Sequence, residues 1–263
     1  KIFPGVTDKA AVVGISEKGF LNLEIIGTSQ GGHASTPPDQ QVITNLANVV
    51  IDLHTERIFK LKLTPAVKAL FNHIAPHSTS FMIRMLFANL WLFLPVVKLI
   101  AKKTGGEFLS LFKTTQAFTV AKGSQAINVL PSEGIIGINY RLRPLESSND
   151  VVRKVKKIAA RYDCEVKVTD VSEATKMSLI DDRFEVLKKA ISHTYTNCIP
   201  TPYLMVATTD SRHYHDISDH VYKFSPMDVS KDDLKTIHGI NEKISKQNMI
   251  DGTYFYINLL DSF

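Results

Sequence analysis

Apolar residues recur along the first two thirds of this chain with periods of two and of three to four, in a regular order. Leu21, Leu23 and Ile25 alternate with Asn22 and Glu24, the pattern of a strand with one buried face. After Pro37-Pro38-Asp39, the set Val42, Leu46, Val49, Val50 and Leu53 returns at helical spacing. Thr114 to Ala121 reads as a strand. Ile136, Ile138 and Tyr140 line one face of another, with Asn139 and Arg141 on its opposite face. Ser147-Ser148-Asn149-Asp150 offers capping side chains to a helix whose apolar stripe is Val151, Val155, Ile158 and Ala159. Cys164, Val166 and Val168 alternate with polar residues as a last strand. The order β-α-β-β-α-β predicts a ferredoxin-like module over residues 17–175, interrupted by an apolar, helix-rich insertion at residues 60–112.

The flanks read differently. Residues 1–16 hold one strand, Ala11 to Ile15. Residues 176–263 predict a helix on Phe184, Leu187 and Ile191, strands at Tyr203–Ala207 and Val221–Phe224, and a closing helix with Ile250, Tyr254, Ile257 and Leu260 as its stripe. The fold class is therefore α/β, with an α+β module inserted into a second α/β domain that lacks its beginning. The start at Lys1, without an initiator Met, predicts a fragment or a processed product. Within the insertion, Arg84 and Lys98 bracket about 13 uncharged residues, fewer than the ~20 a spanning helix needs. Phe81 to Ile100 thus predicts a buried helix, with contact to a membrane surface or a greasy substrate as the alternative.

Composition excludes whole classes. Hydrophobic residues are 44% and charged residues 22%, as in a globular protein and unlike a disordered one. The net charge of +5 is spread along the chain, and its densest run, Arg153 to Lys157, alternates with apolar residues as a solvated helix face does. No nucleic-acid partner is expected. The strands also lack the aromatic motifs of ferredoxin-like RNA binders. Two cysteines, Cys164 and Cys198, are too few for a disulfide framework or a Cys-rich metal site.

Four clusters can carry chemistry. Gly31-Gly32-His33-Ala34-Ser35-Thr36-Pro37-Pro38 sets a histidine between flexible glycines and stiff prolines, where its ring can donate to a developing oxyanion or merely cap the next helix. Asn128, in Asn128-Val129-Leu130-Pro131, and Arg141, in Arg141-Leu142-Arg143-Pro144, can converge on a carboxylate, with Arg143 the competitor of Arg141. A surface arginine and a turn asparagine fit the same residues. Thr208-Thr209-Asp210-Ser211-Arg212 follows a strand, as residues lining an α/β site do, and equally suits a turn of Asx and Ser side chains. His238, with Asn241 as a possible helix cap, offers one metal ligand where zinc needs three or four. His213, His215 and His220 lie in an ordinary polar loop and receive no role.

Together, in this order, these clusters and Ser16-Glu17-Lys18-Gly19 resemble the M20 family of zinc peptidases and N-acyl-amino-acid hydrolases, in its carboxypeptidase S-like branch. The resemblance runs from Ala11 to about Leu260. It implies a ferredoxin-like lid in an α/β catalytic domain that binds two zinc ions. It further implies that His33 stabilises the oxyanion, that Asn128 and Arg141 hold the carboxylate of a peptide or N-acyl amino acid, that Thr209 borders the substrate, and that His238 ligates zinc. Homodimerisation through the lid, with its histidine serving the partner's site, is implied as well, although the insertion complicates that surface. The His-x-Asp pair, bridging Asp and Glu-Glu pair of the family are not in the chain, which is therefore expected to be inactive alone. Ala207 and Thr208 replace the Gly-Asn that precedes Thr-Asp-Ser-Arg in close relatives. The competing expectation is a non-catalytic dimerisation or peptide-binding module, or an inactive fragment of such an enzyme.

Overall fold

A computed structural model of the chain describes residues 6–230, 233, 236–237 and 239–262. Two apolar clusters organise them. The first is built on the alternation in β2 (Gly19–Thr28), which buries Leu21, Leu23 and Ile25. β2 lies between β6 (Glu133–Leu142) and β7 (Glu165–Ser172), and β4 (Thr115–Lys122) adds outside β6, giving an antiparallel sheet of order β4-β6-β2-β7. Leu23 pairs with Ile138 and Leu21 with Tyr140, so the apolar faces of the strands coincide. Val49 and Leu53 of α1 (Val42–Thr55) and Val151, Val155 and Ile158 of α6 (Ser148–Ala159) cover that face. Ser147 caps α6 by accepting from the Asp150 N–H at 3.2 Å. The ferredoxin-like arrangement is present as expected.

The second cluster joins the flanks. β1 (Lys9–Glu17) and β8 (Cys198–Met205) run parallel, with Val13, Ile15 and Leu204 fully buried against Phe184 of α7 (Asp182–Thr194). The insertion packs here in space. α2 (Pro65–Ile74), α3 (Phe81–Ala88), α4 (Leu90–Thr104) and α5 (Gly106–Ser110) supply Phe71, Phe87, Val97 and Phe108 to this cluster, and Phe112 joins them. Phe71 touches the rings of Phe87, Phe108 and Phe112 with centroids 4.7–6.1 Å apart.

Several details depart from the sequence expectations. The expected helix over residues 81–100 is two helices bent by 114° at Asn89, each burying only one side. β8 begins at Cys198, well before Tyr203, because its prolines at 200 and 202 are tolerated beside a single partner strand. Val221–Phe224 is not a strand. It makes one bridge, Gly14 to Lys223, while the Ser178 hydroxyl accepts from the Val221 N–H and donates to the Val221 carbonyl in place of a ladder. The closing helix, α8 (Lys246–Leu260), turns the expected stripe outward: Ile250, Tyr254, Ile257 and Leu260 are all exposed. It buries Phe255 against Phe224 instead, and Asn248 holds both the N–H and the carbonyl of Asp228. Ser245, not Asn241, caps it, accepting from Asn248 at 3.1 Å.

Candidate functional site at two ends of the inserted module

Glycine geometry builds the first end. Gly31 and Gly32 have φ of 69° and 141°, which side chains with a Cβ rarely adopt. They turn the chain into β3 (Gly32–His33), which pairs with β5 (Val129–Leu130) so that His33 faces Val129. The Ala34 N–H donates to the Asn128 carbonyl at 3.0 Å, which puts Asn128 beside His33 on an exposed tip. Next to them is an open depression of about 370 Å³ lined by Gly31, Gly32, Ser124 and Ser132. The Ser35 N–H donates to His33 Nδ1 at 3.2 Å, and Ser35 Oγ lies 2.8 Å away. With Nδ1 accepting, the neutral ring carries its proton on Nε2 and presents an N–H donor to the outside.

Arg141 belongs to the other end. Thr28 pairs with Glu133 near the tip and Phe20 with Arg141 at the base, so eight residues of extended β6 separate the ends, roughly 27 Å. Arg141 Nη1 donates to Thr208 Oγ1 at 3.4 Å and so meets the loop after β8. Arg143 takes no part. It is buried past the end of β6, donates to the Pro144 carbonyl at 2.8 Å, and lies 4.0 Å from Glu146.

Thr209 is committed to a carboxylate the sequence had not singled out by role. Glu17 is fully buried. It accepts from the Thr209 N–H at 2.9 Å and the Thr209 hydroxyl at 2.8 Å, and Arg212 Nη2 stands 3.8 Å away. Arg212 also donates to the Glu173 carbonyl at 2.9 Å and lies over the Phe20 ring. Glu17 thus fixes the 208–212 loop against β1 and the base of β2, where Arg141 arrives. The sequence signal was a Glu-Lys pair in an otherwise apolar strand run. His215 and Lys223 pair at 2.9 Å beneath this loop; burial pushes the Lys223 ammonium down to about 8. His220 bonds Asp181 at 2.7 Å. His238 lies outside the described residues.

Lys18 is the hinge residue between β1 and β2. It is fully buried, and its ammonium reaches the carbonyls of Ser110 and Lys113 at 2.9 and 2.8 Å, tying the end of the insertion to the hinge. Burial first, then the charges of Arg141, Arg143 and Lys113, push its pKa down to about 7, against the opposite pull of Glu146. The unfolded side chain keeps its proton to about 10.4. Between these values the unfolded chain binds more protons, so stability rises with pH, by at most ~1.4 kcal/mol per unit. Denaturant unfolding of the chain at pH 7 and pH 9.5 should show this rise, to which the depressed Lys223 adds, and Lys18→Met should make it shallower. An unchanged slope in that variant would locate the effect elsewhere.

A four-stranded ferredoxin-like module, set between the two strands of an α/β segment, thus carries a histidine tip at one end and Arg141 at the other. The Peptidase dimerisation domain family matches residues 15–166, more than half of the chain. A probable carboxypeptidase S-like 2 of Dictyostelium discoideum is 32% identical over 98% of this chain and 50% of its own length. The N-fatty-acyl-amino acid synthase/hydrolase PM20D1.1 of Danio rerio is 30% identical over 99% of this chain and 51% of its own. Among solved structures, the M20 family metallo-carboxypeptidase Sso-CP2 from Sulfolobus solfataricus superposes with a TM-score of 0.66 at 13% identity, covering 95% of this chain and 60% of that one. The chain belongs to the M20 peptidases, in their carboxypeptidase S-like branch. It spans about half the length of the curated relatives it matches.

Zinc does not fit the residues described. Among them no three His, Cys, Asp or Glu side chains stand close enough to hold one ion. A binuclear centre therefore needs ligands beyond those described here.

Proposed function

We propose that this chain is the lid and C-terminal catalytic segment of a zinc-dependent M20-type hydrolase that cleaves an amide bond beside a free carboxylate, in a peptide or an N-acyl amino acid. The observation that carries the reading is the division of the candidate residues between two ends of the inserted module, the β3–β5 tip and the far end of β6. His33 and Asn128, beyond the Glu133 end of β6, cannot reach Arg141 across roughly 27 Å of that strand. In a two-fold dimer through the lid, the tip of one copy lies over the base of the other, and both sites are completed at once.

In that arrangement each group has one task. The Arg141 guanidinium holds the substrate carboxylate with paired N–H donors, and Asn128 of the partner copy adds a further hydrogen bond. Nε2–H of the partner copy's His33 points at the carbonyl oxygen as it gains charge, and Ser35 fixes the ring that carries it. Thr209 borders the substrate through the loop that Glu17 anchors. Water adds across the amide, giving an amine and a carboxylate. The zinc ions and their ligands, with His238 as the ligand from this chain, belong to the intact polypeptide.

The test compares an N-acyl amino acid with its C-terminal amide as substrates of the zinc-loaded intact polypeptide. Blocking the carboxylate should lower kcat/KM by about 10²-fold or more, because Arg141 is then left facing a neutral group. Equal turnover of the two would remove the carboxylate clamp. Absence of any turnover would favour the non-catalytic module.

A further inference from the structure

The bent pair α3–α4 leaves an apolar surface uncovered. Leu90, Val97 and Ala101 of α4 are buried, yet the opposite side of the same helix is also apolar: Trp91 is 80% exposed, Leu92 55% and Leu99 67%. Phe81 and Met82, at the start of α3, are 74% and 64% exposed. A helix apolar on every side belongs inside something. Among the described residues nothing covers the outer side.

Charge says what does. From Arg57 to Gly106 the chain has eight Lys and Arg and no Asp or Glu. Lys98, Lys102 and Lys103 lie on α4 itself, continuing the exposed stripe toward its C-terminal end, and none has an acidic partner among the described residues. A second copy of the same patch would set these lysines against themselves across a two-fold axis, with no acid in the segment to answer them. An anionic lipid surface answers both features, taking the aromatic and aliphatic side chains at its headgroup boundary and attracting the basic rim. Among the described residues no single helix is long and apolar enough to cross, and the 114° bend suits a pair lying in the surface. The single tryptophan of the chain stands where interfacial tryptophans do.

We propose that the α3–α4 pair is a monotopic docking element that seats the protein on anionic phospholipid membranes through Phe81, Met82, Trp91, Leu92 and Leu99, with Lys98, Lys102 and Lys103 on the headgroups. This rests on the insertion alone and stands or falls separately from the hydrolase reading.

The full chain is floated with phosphatidylcholine vesicles containing about 30 mol% phosphatidylglycerol and with pure phosphatidylcholine vesicles, while Trp91 emission is followed. Binding to the anionic vesicles with a blue shift of Trp91, weakened roughly tenfold or more by Lys102→Glu/Lys103→Glu and by salt, is the expected result. Leu92→Glu/Leu99→Glu should abolish flotation while circular dichroism stays native. Three results overturn the proposal: no flotation, equal binding to neutral vesicles, or a vesicle-free dimer that Leu99→Glu dissociates. The last would assign the face to contact between copies.

Discussion

Alanine at His33 is expected to lower kcat by about 10²–10³-fold in the intact, zinc-loaded polypeptide, the usual effect of removing one oxyanion donor. KM should change little, because Nε2–H is aimed at charge that develops only in the transition state. The partner experiment carries more. An Arg141→Ala variant should lose activity through substrate binding. An equal mixture of His33→Ala and Arg141→Ala chains, exchanged into dimers, should then recover about a quarter of wild-type activity. Half the dimers are mixed, and each contains one site with both residues intact. Recovery near zero would mean that both residues serve the same site from one chain. Such a result would break the two-ended reading while leaving membership of the family untouched.

The second large effect belongs to Glu17. Glu17→Ala is expected to cost about 3–5 kcal/mol in denaturant unfolding of the chain, the range for removing one partner from a buried charged network. It leaves the Thr209 N–H without its acceptor and the largely buried Arg212 without its carboxylate. Glu17→Gln should cost less, since the amide oxygen still accepts one bond. In the intact polypeptide the same variants should raise KM with the 208–212 loop no longer fixed beside Arg141, whereas a purely structural Glu17 would change stability alone. A loss below about 1 kcal/mol would show that the loop is held by other contacts.

Much of the architecture could be read along the chain because its signals are local. A period of two in Leu21-Leu23-Ile25 and a period of three to four in Val42-Leu46-Val49 state which face of each element is apolar, whatever the element later meets. Burial of α8 shows where this fails. Its apolar stripe Ile250-Tyr254-Ile257-Leu260 points outward, and a glycine, an asparagine and Phe255 take the inner side, since close backbone approach and the Asp228 bonds outweigh hydrophobicity there. The same limit applies to residues 81–100, where pattern predicts one buried helix and Asn89 bends the chain by 114° into two.

The candidate residues divide along the same line. His33, Asn128 and Arg141 were visible from residue type and motif order, as were the glycines whose positive φ shapes the tip. Sequence by itself determined the β-α-β-β-α-β order, the family, and which side chains have chemistry to offer, because each is a property of neighbouring residues or of motifs in series. Only tertiary structure decided that β6 holds Arg141 and the His33 tip at opposite ends, that Glu17 rather than a free hydroxyl occupies Thr209, that Lys18 is a buried cation at the hinge, and that the insertion packs with β1 and β8. Those facts depend on strand register and on which faces meet across long stretches of chain, and no local periodicity carries that information.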